Sequence, residues 1–378
     1  MKHNTQHAPK GGESGPKSST SLSRLSKALL ILSVAGVWAL FLSTATLLAY
    51  VLVTPKSIVA NKNPCQDNQK YVCYSKYFKA RTNAESPKVA LAEIGALAKT
   101  NSFVLSQCHQ LTHSVGHAAF DKYGSLSKAY SLGDSYCWSG YYHGVTESAV
   151  GVMSKTQLKS QLNTICAELA VKSRYSFDHY NCAHGLGHGL LGVEEDNLFV
   201  ALTTCDGLSD PWERSSCYGG VFMENVMIES REGGKSQYLR TDEPMYPCSA
   251  VATVYKDQCY GMQTSYALSV SGYDFAKVAA MCQGLSDTDY VGKCYRSLGR
   301  DASGSTNSDI VATKQKCEVA LDAEGKKNCM LGAALDIASY YRDDVQAKAF
   351  CLQYEGEMRF VCHRDVVNYT ANFKPSKS

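Results

Sequence analysis

The sequence predicts an all-α protein: a single N-terminal transmembrane helix followed by a disulfide-stapled, solenoid-like ectodomain of αα-hairpin repeats. Three observations predict it. Residues 28–53 form an uncharged run dominated by Leu, Ala and Val. Beyond that run Pro is scarce, strand-like alternation is not sustained, and apolar residues recur at three- and four-residue steps. All 16 cysteines follow the run, an even number of the kind an oxidising compartment supports.

Residues 1–27 are rich in Ser, Gly and Lys and read as a disordered cytoplasmic tail. They hold Lys2, Lys10, Lys17, Arg24 and Lys27 against Glu13 alone, whereas the remaining chain carries 33 basic and 34 acidic groups. A near-neutral body gives no electrostatic footprint for nucleic acid. Residues 28–53, at 1.5 Å rise per residue, span about 39 Å, enough for a bilayer core of about 30 Å. The basic residues before them place the N-terminus in the cytoplasm and the body outside. A cleaved signal peptide is the alternative, but the run is far longer than the usual roughly 7–15-residue apolar stretch.

Residues 54–85 read as a linker and N-terminal cap, with Cys65 and Cys73 closing a small loop. Residues 86–229 read as His/Glu-rich helical repeats, beginning with helices over Ser86–Lys99 and Ser102–Lys122. Residues 230–247 contain Gly233-Gly234, charged residues and two prolines, and read as an inserted surface loop. Residues 248–378 read as further helical repeats.

The cysteines carry the repeat. Cys205/Cys217, Cys282/Cys294 and Cys317/Cys329 are each 12 apart, Cys248/Cys259 and Cys351/Cys362 are 11 apart, and Cys166/Cys182 are 16 apart. The first of a pair follows a helix-like run and the second opens another. From Cys137 to Cys362 the second cysteines step by 45, 35, 42, 35, 35 and 33 residues. A period near 35 suits two helices and two turns. Each pair is therefore expected to staple one hairpin, contributing roughly 3 kcal/mol in the chain-entropy model. Cys108–Cys137 and Cys65–Cys73 follow by elimination. No C-x-x-C occurs, which argues against zinc ribbons and thioredoxin-like chemistry. The repeat length resembles that of tetratricopeptide-type solenoids, but their Trp-Leu-Gly-Tyr signature is absent, so the likeness is one of architecture only. A small residue falls three positions after many second cysteines, at Gly140, Gly185, Gly220, Ser297 and Gly332, which suggests close helix–helix approach or a ligand-facing gap.

The chemistry concentrates between Cys108 and Glu224. His113/His117 and His184/His188 are spaced i, i+4, as are His143 and Glu147. On a helix that spacing puts two side chains on one face, with Cβ atoms roughly 5–6 Å apart. Stacked repeats would bring these groups together, and inward-reaching imidazoles and carboxylates are how helical bundles build metal sites. His113, His117, His143, His184 and His188 are the expected metal ligands, and Glu147 and Glu224 the expected ligands or catalytic proton acceptors. His109 either extends the set or orients a ligand. Mixed His and carboxylate ligation suits zinc, iron or manganese, with copper also compatible. Neither His pair is the metalloprotease H-E-x-x-H.

The expected function is a membrane-anchored, extracytoplasmic metalloprotein, a metal-dependent oxidoreductase or hydrolase acting on a small molecule or peptide. The first alternative is a non-catalytic helical-repeat scaffold for a protein or peptide partner, with the histidines as packing residues. The second is haem binding through axial histidines, although no C-x-x-C-H is present for covalent attachment. Arg296, Arg364, Asp301 and Asp336 are expected as solvated groups or in intramolecular ion pairs, the alternative being that they line the same groove as Glu224.

Overall fold

Helices in this chain begin where a short polar side chain can accept from a first-turn backbone N–H. Ser86, Asn101, Ser154, Ser176, Asp210 and Asp322 all do so. Each such cap contributes about 1 kcal/mol over an alanine. The computed structural model describes residue 65 and residues 70–170, 176–228 and 234–371, and among these all regular structure is helical.

Helices α1 (Tyr71–Ala84) and α2 (Pro87–Ala98) lead through a short α3 (Ser102–Ser106) to α4 (Cys108–Tyr123). Then come α5 (Leu126–Tyr130), α6 (Gly140–Gly151), α7 (Lys155–Gln161), α8 (Phe177–Val193), α9 (Leu198–Cys205) and α10 (Pro211–Met227). After residues 234–252, which carry no helix, follow α11 (Thr253–Tyr260), α12 (Thr264–Val270), α13 (Phe275–Gln283) and α14 (Val291–Ser305). The chain ends in α15 (Ile310–Cys317), α16 (Ala323–Tyr341), α17 (Val345–Cys351) and α18 (Gly356–Thr370).

The sixteen cysteines form eight disulfides: six in the pairing the spacing suggests, and Cys65–Cys73 and Cys108–Cys137 as elimination left them. Cys205–Cys217, Cys282–Cys294, Cys317–Cys329 and Cys351–Cys362 each tie the end of one helix to the first half of the next, whereas Cys248–Cys259 ties the non-helical segment before α11 to the end of that helix. The longer helices then stack in sequence, α4 on α6, α6 on α8 and α8 on α10, and later α14 on α16 and α16 on α18.

Glycine sets how closely they stack. Gly116 and Gly144 face each other's helix across α4/α6, Gly187 and Gly220 across α8/α10, and Gly299 and Gly332 across α14/α16. A Cβ at any of the six would overlap a carbonyl oxygen of the facing helix. Of the small residues three positions after a second cysteine, Gly220 and Gly332 are among these six, and a Cβ at Gly140 would overlap the His109 carbonyl, so these three serve close approach. This crossing also explains the H-x-x-G-H pattern: His113 and His117 bracket the crossing glycine of α4, and His184 and His188 bracket that of α8. The backbone contact that fixes the helices thus fixes where the imidazoles emerge.

Three details differ from the sequence reading. The helix expected over Ser102–Lys122 breaks at Gln107, which leaves helical geometry with ψ near zero (φ −98°, ψ 7°). Residues 71–84, expected within a linker and cap, are a complete helix packed on α4. The row of repeats is not an open solenoid either. Ser135 donates to the Tyr340 carbonyl at 3.0 Å, the Arg342 guanidinium lies 4.3 Å from the Phe177 ring centroid, and Trp138 packs on Gly304. The segment before α6 projects across to α14 and α16, with Cys137, Trp138 and Ser139 all at positive φ.

The tail and anchor expected over residues 1–53 lie outside the described residues. Among the described residues, no helix is long and apolar enough to cross a membrane.

Candidate metal centre

Helix α4 presents His109, His113, His117 and Asp121 at successive i, i+4 steps on one face. Facing them, α6 supplies His143 and Glu147, α8 supplies His184 and His188, and α10 supplies Glu224. All five expected histidines and both expected glutamates come together. His109 joins them, its ring 4.6 Å from that of His113 and 5.3 Å from that of His143. The His143 ring lies 4.8 Å from His184 and 4.7 Å from His188.

The cluster has a mouth and an interior. At the mouth, Oε2 of Glu147 lies 2.6 Å from Nε2 of His117 and 3.0 Å from Nδ1 of His113. Its other oxygen is 3.7 Å from Nδ1 of His188, which itself lies 2.8 Å from Oε2 of Glu224. These groups line a cavity of about 530 Å³ together with Tyr71, Lys79, Gln110, Asp121 and Ser148. Further in, His143 and His184 do not reach that cavity and are almost fully buried.

Hydrogen bonding fixes a tautomer at one edge of the site. The Cys137 carbonyl, 2.9 Å from Nδ1 of His109, can only accept, so that nitrogen carries the proton. Nε2 of a neutral His109 then holds a lone pair, and Nε2 of His113 at 3.0 Å must donate to it. A neutral His113 consequently turns its Nδ1 lone pair on the Glu147 carboxylate. Two acceptors 3.0 Å apart require a cation between them, either a proton or a metal ion.

The electrostatics agree with uncharged interior imidazoles. Burial pushes His109, His143 and His184 well below the ordinary histidine range, and the neighbouring histidines push in the same direction. For Glu147 burial opposes ionisation, but where the cation is a proton on His113 the charge of that ring and hydrogen bonds from His113 and His117 outweigh burial and hold the carboxyl well below its usual range.

The donors fit an ion. Four groups offer one ligand atom per residue within 4.8 Å of one another: His109/His113/His143, His143/His184/His188, His113/His117/Glu147, and Glu147/His188/Glu224. Ligands at 2.0–2.1 Å around a tetrahedral ion sit roughly 3.3 Å apart. The mouth distances of 2.6 and 3.0 Å would open by about 0.7 and 0.3 Å to take such an ion. With every cysteine in a disulfide, thiolates do not join the donor set.

The other polar candidates lie elsewhere. Arg300 pairs with Asp301 at 2.8 Å, Arg364 with Asp365 at 2.8 Å, and Arg296 donates to Asn328. Asp336 is buried, and desolvation raises its carboxyl to about 7. Sequence reasoning missed Asp121, which the His109–His113–His117 spacing points to directly. It also missed Tyr71 and Lys79, on a helix placed in the linker and cap.

Fold and site together define a disulfide-rich, all-helical repeat protein with His/Glu clusters at metal-binding distances. No protein-family model, curated protein or solved structure matches the chain.

Proposed function

We propose that the protein is a metal-dependent enzyme whose ion is held at the mouth of the cluster by His113, His117 and Glu147. The observation that carries this reading is the acceptor pair Nδ1 of His113 and Oε2 of Glu147, 3.0 Å apart with a tautomer relay behind it. Two imidazoles and a carboxylate suit zinc, iron or manganese. Three protein ligands leave a coordination position for water or substrate on the side of the cavity. An ion there would polarise a substrate oxygen or lower the pKa of a bound water. On this reading Glu147 is a ligand rather than a catalytic base, and Glu224 serves His188. The cavity suits a small molecule or the end of a peptide chain. The reading keeps residues 28–53 as a membrane anchor and the body as extracytoplasmic, in line with the eight disulfides.

A second reading has its own support. The 2.6 Å His117–Glu147 contact is a good charge-assisted hydrogen bond without any ion. The cluster would then be a buried polar network inside a non-catalytic scaffold. Haem is disfavoured, because the imidazoles pack ring against ring at 4.6–5.5 Å within the interior and leave no slot for a macrocycle.

Elemental analysis separates the two main readings. The full chain, purified in detergent without a chelating tag, is expected to carry stoichiometric transition metal. His117→Ala and Glu147→Ala should lose the mouth equivalent while staying folded. Folded wild-type protein that neither retains nor takes up metal would leave the scaffold reading standing.

A further inference from the structure

We infer that a second metal site lies behind the mouth, formed by the imidazoles of His143, His184 and His188 and suited to monovalent copper. One nitrogen from each lies within 4.8 Å of the others. The three side chains come from two adjacent helices, α6 and α8, and each is at most 2% exposed. His188 also borders the mouth cavity, but none of the trio is among the three proposed mouth ligands His113, His117 and Glu147, so removing His143 or His184 spares that set.

The protons on these rings point to ligation. The buried Nδ1 atoms of His143 and His184 have no hydrogen-bond partner among protein atoms. An orphaned buried polar atom costs about 1–3 kcal/mol, so two on facing rings call for an explanation. His188 meets Glu224 through Nδ1 at 2.8 Å, which puts its proton there and its lone pair on Nε2. A carboxylate behind a ligating histidine is the usual device for fixing its tautomer and orientation. Glu224 is therefore a positioning residue for His188.

The donor set selects the ion. The three ligand atoms are all imidazole nitrogens, and the carboxylates of Glu224 and Glu147 reach only one ring, His188, on its Nδ1 side; burying a larger charge among such donors is expensive. A divalent ion would bring the larger charge and would want a fourth ligand. Monovalent copper brings a single charge and accepts three nitrogen donors in a plane without a water. Imidazole is a good copper ligand, and the carboxylate-bearing mouth suits harder ions.

The test is anaerobic titration of the full chain in detergent with monovalent copper against a chromophoric copper(I) chelator. Wild type should take up one tight equivalent, and His117→Ala and Glu147→Ala should keep it. His143→Ala and His184→Ala should lose it while keeping cooperative unfolding and, where the mouth binds zinc, the zinc equivalent. Glu224→Ala should weaken copper roughly 10–100-fold, and Glu224→Gln, which retains an acceptor oxygen, should recover most of that. Copper retained in folded His143→Ala, or lost in folded Glu147→Ala, would overturn the inference. Failure of wild type to bind copper would overturn it too, without touching the mouth reading.

Discussion

Glu147 on α6 reaches across the crossing of two helices to put Oε2 2.6 Å from Nε2 of His117 on α4. The same oxygen lies 3.0 Å from Nδ1 of His113, so one carboxylate joins both members of the first His pair. The crossing itself depends on Gly116 and Gly144, which let the two backbones meet. Packing at the crossing and the placement of these candidate ligands are thereby coupled at one place.

Removing that carboxylate should be the most damaging single change to the mouth. Glu147→Gln keeps the shape but loses the charge. Its zinc affinity should fall by more than the roughly 10–100-fold typical of losing an outer partner of a ligand. Competition with a zinc chelator reads this directly, and an affinity unchanged in Glu147→Gln would remove Glu147 from the ligand set.

Packing at the crossing should be equally sensitive. In Gly187→Ala or Gly220→Ala the added methyl overlaps the facing carbonyl, Cys217 or His184 respectively. Overpacking of this kind costs about 1–3 kcal/mol, and here backbone rather than a flexible side chain must yield. Denaturant midpoints should drop accordingly, whereas Gly192→Ala, whose added methyl meets nothing within 4 Å, should cost little beyond experimental error.

Acid should destabilise the metal-free protein from the histidine range downward. His109, His143 and His184 have folded pKa values below their unfolded value near 6.5, so the unfolded state binds more protons and stability falls as pH falls through 6.5. Three such groups sum to about 4 kcal/mol lost between pH 7.5 and 5.5 if all stay neutral when folded. Asp336 works in the opposite direction: its folded pKa is raised to about 7, so its contribution grows as pH falls over the same interval, by about 2 kcal/mol. Chelator-treated wild type should therefore lose about 2 kcal/mol and Asp336→Asn about 4. Equal pH profiles for the two proteins would contradict the assignment of Asp336, and flat profiles that of the histidines.

The staples can be tested one at a time. Replacing Cys205 and Cys217 together by Ala opens a loop of 12 residues' separation and should cost about 3 kcal/mol. Non-reducing peptide mapping should recover that bond in wild type and the other seven in the variant.

Much of this was legible in the sequence because it is local. The 11- and 12-residue cysteine steps encode hairpin staples, and the i, i+4 spacing of His113/His117 and His184/His188 encodes a shared helix face. The convergence of those faces followed from the repeat period. What stayed hidden depends on contacts between distant residues. Nothing periodic announces that Trp138 packs on Gly304 or that Ser135 reaches Tyr340, so the closing of the array could not be read. The division of the cluster into mouth and interior was likewise hidden. It rests on how far the Glu147 side chain reaches and on which ring nitrogen meets the Cys137 carbonyl.

X-ray absorption at the metal edge is the most direct measurement on the full chain, purified in detergent without a chelating tag and loaded with zinc. The account predicts a nitrogen/oxygen shell with the multiple scattering of imidazole and no sulfur, changed in His117→Ala. A sulfur shell, or a folded protein that holds no zinc at all, would contradict it.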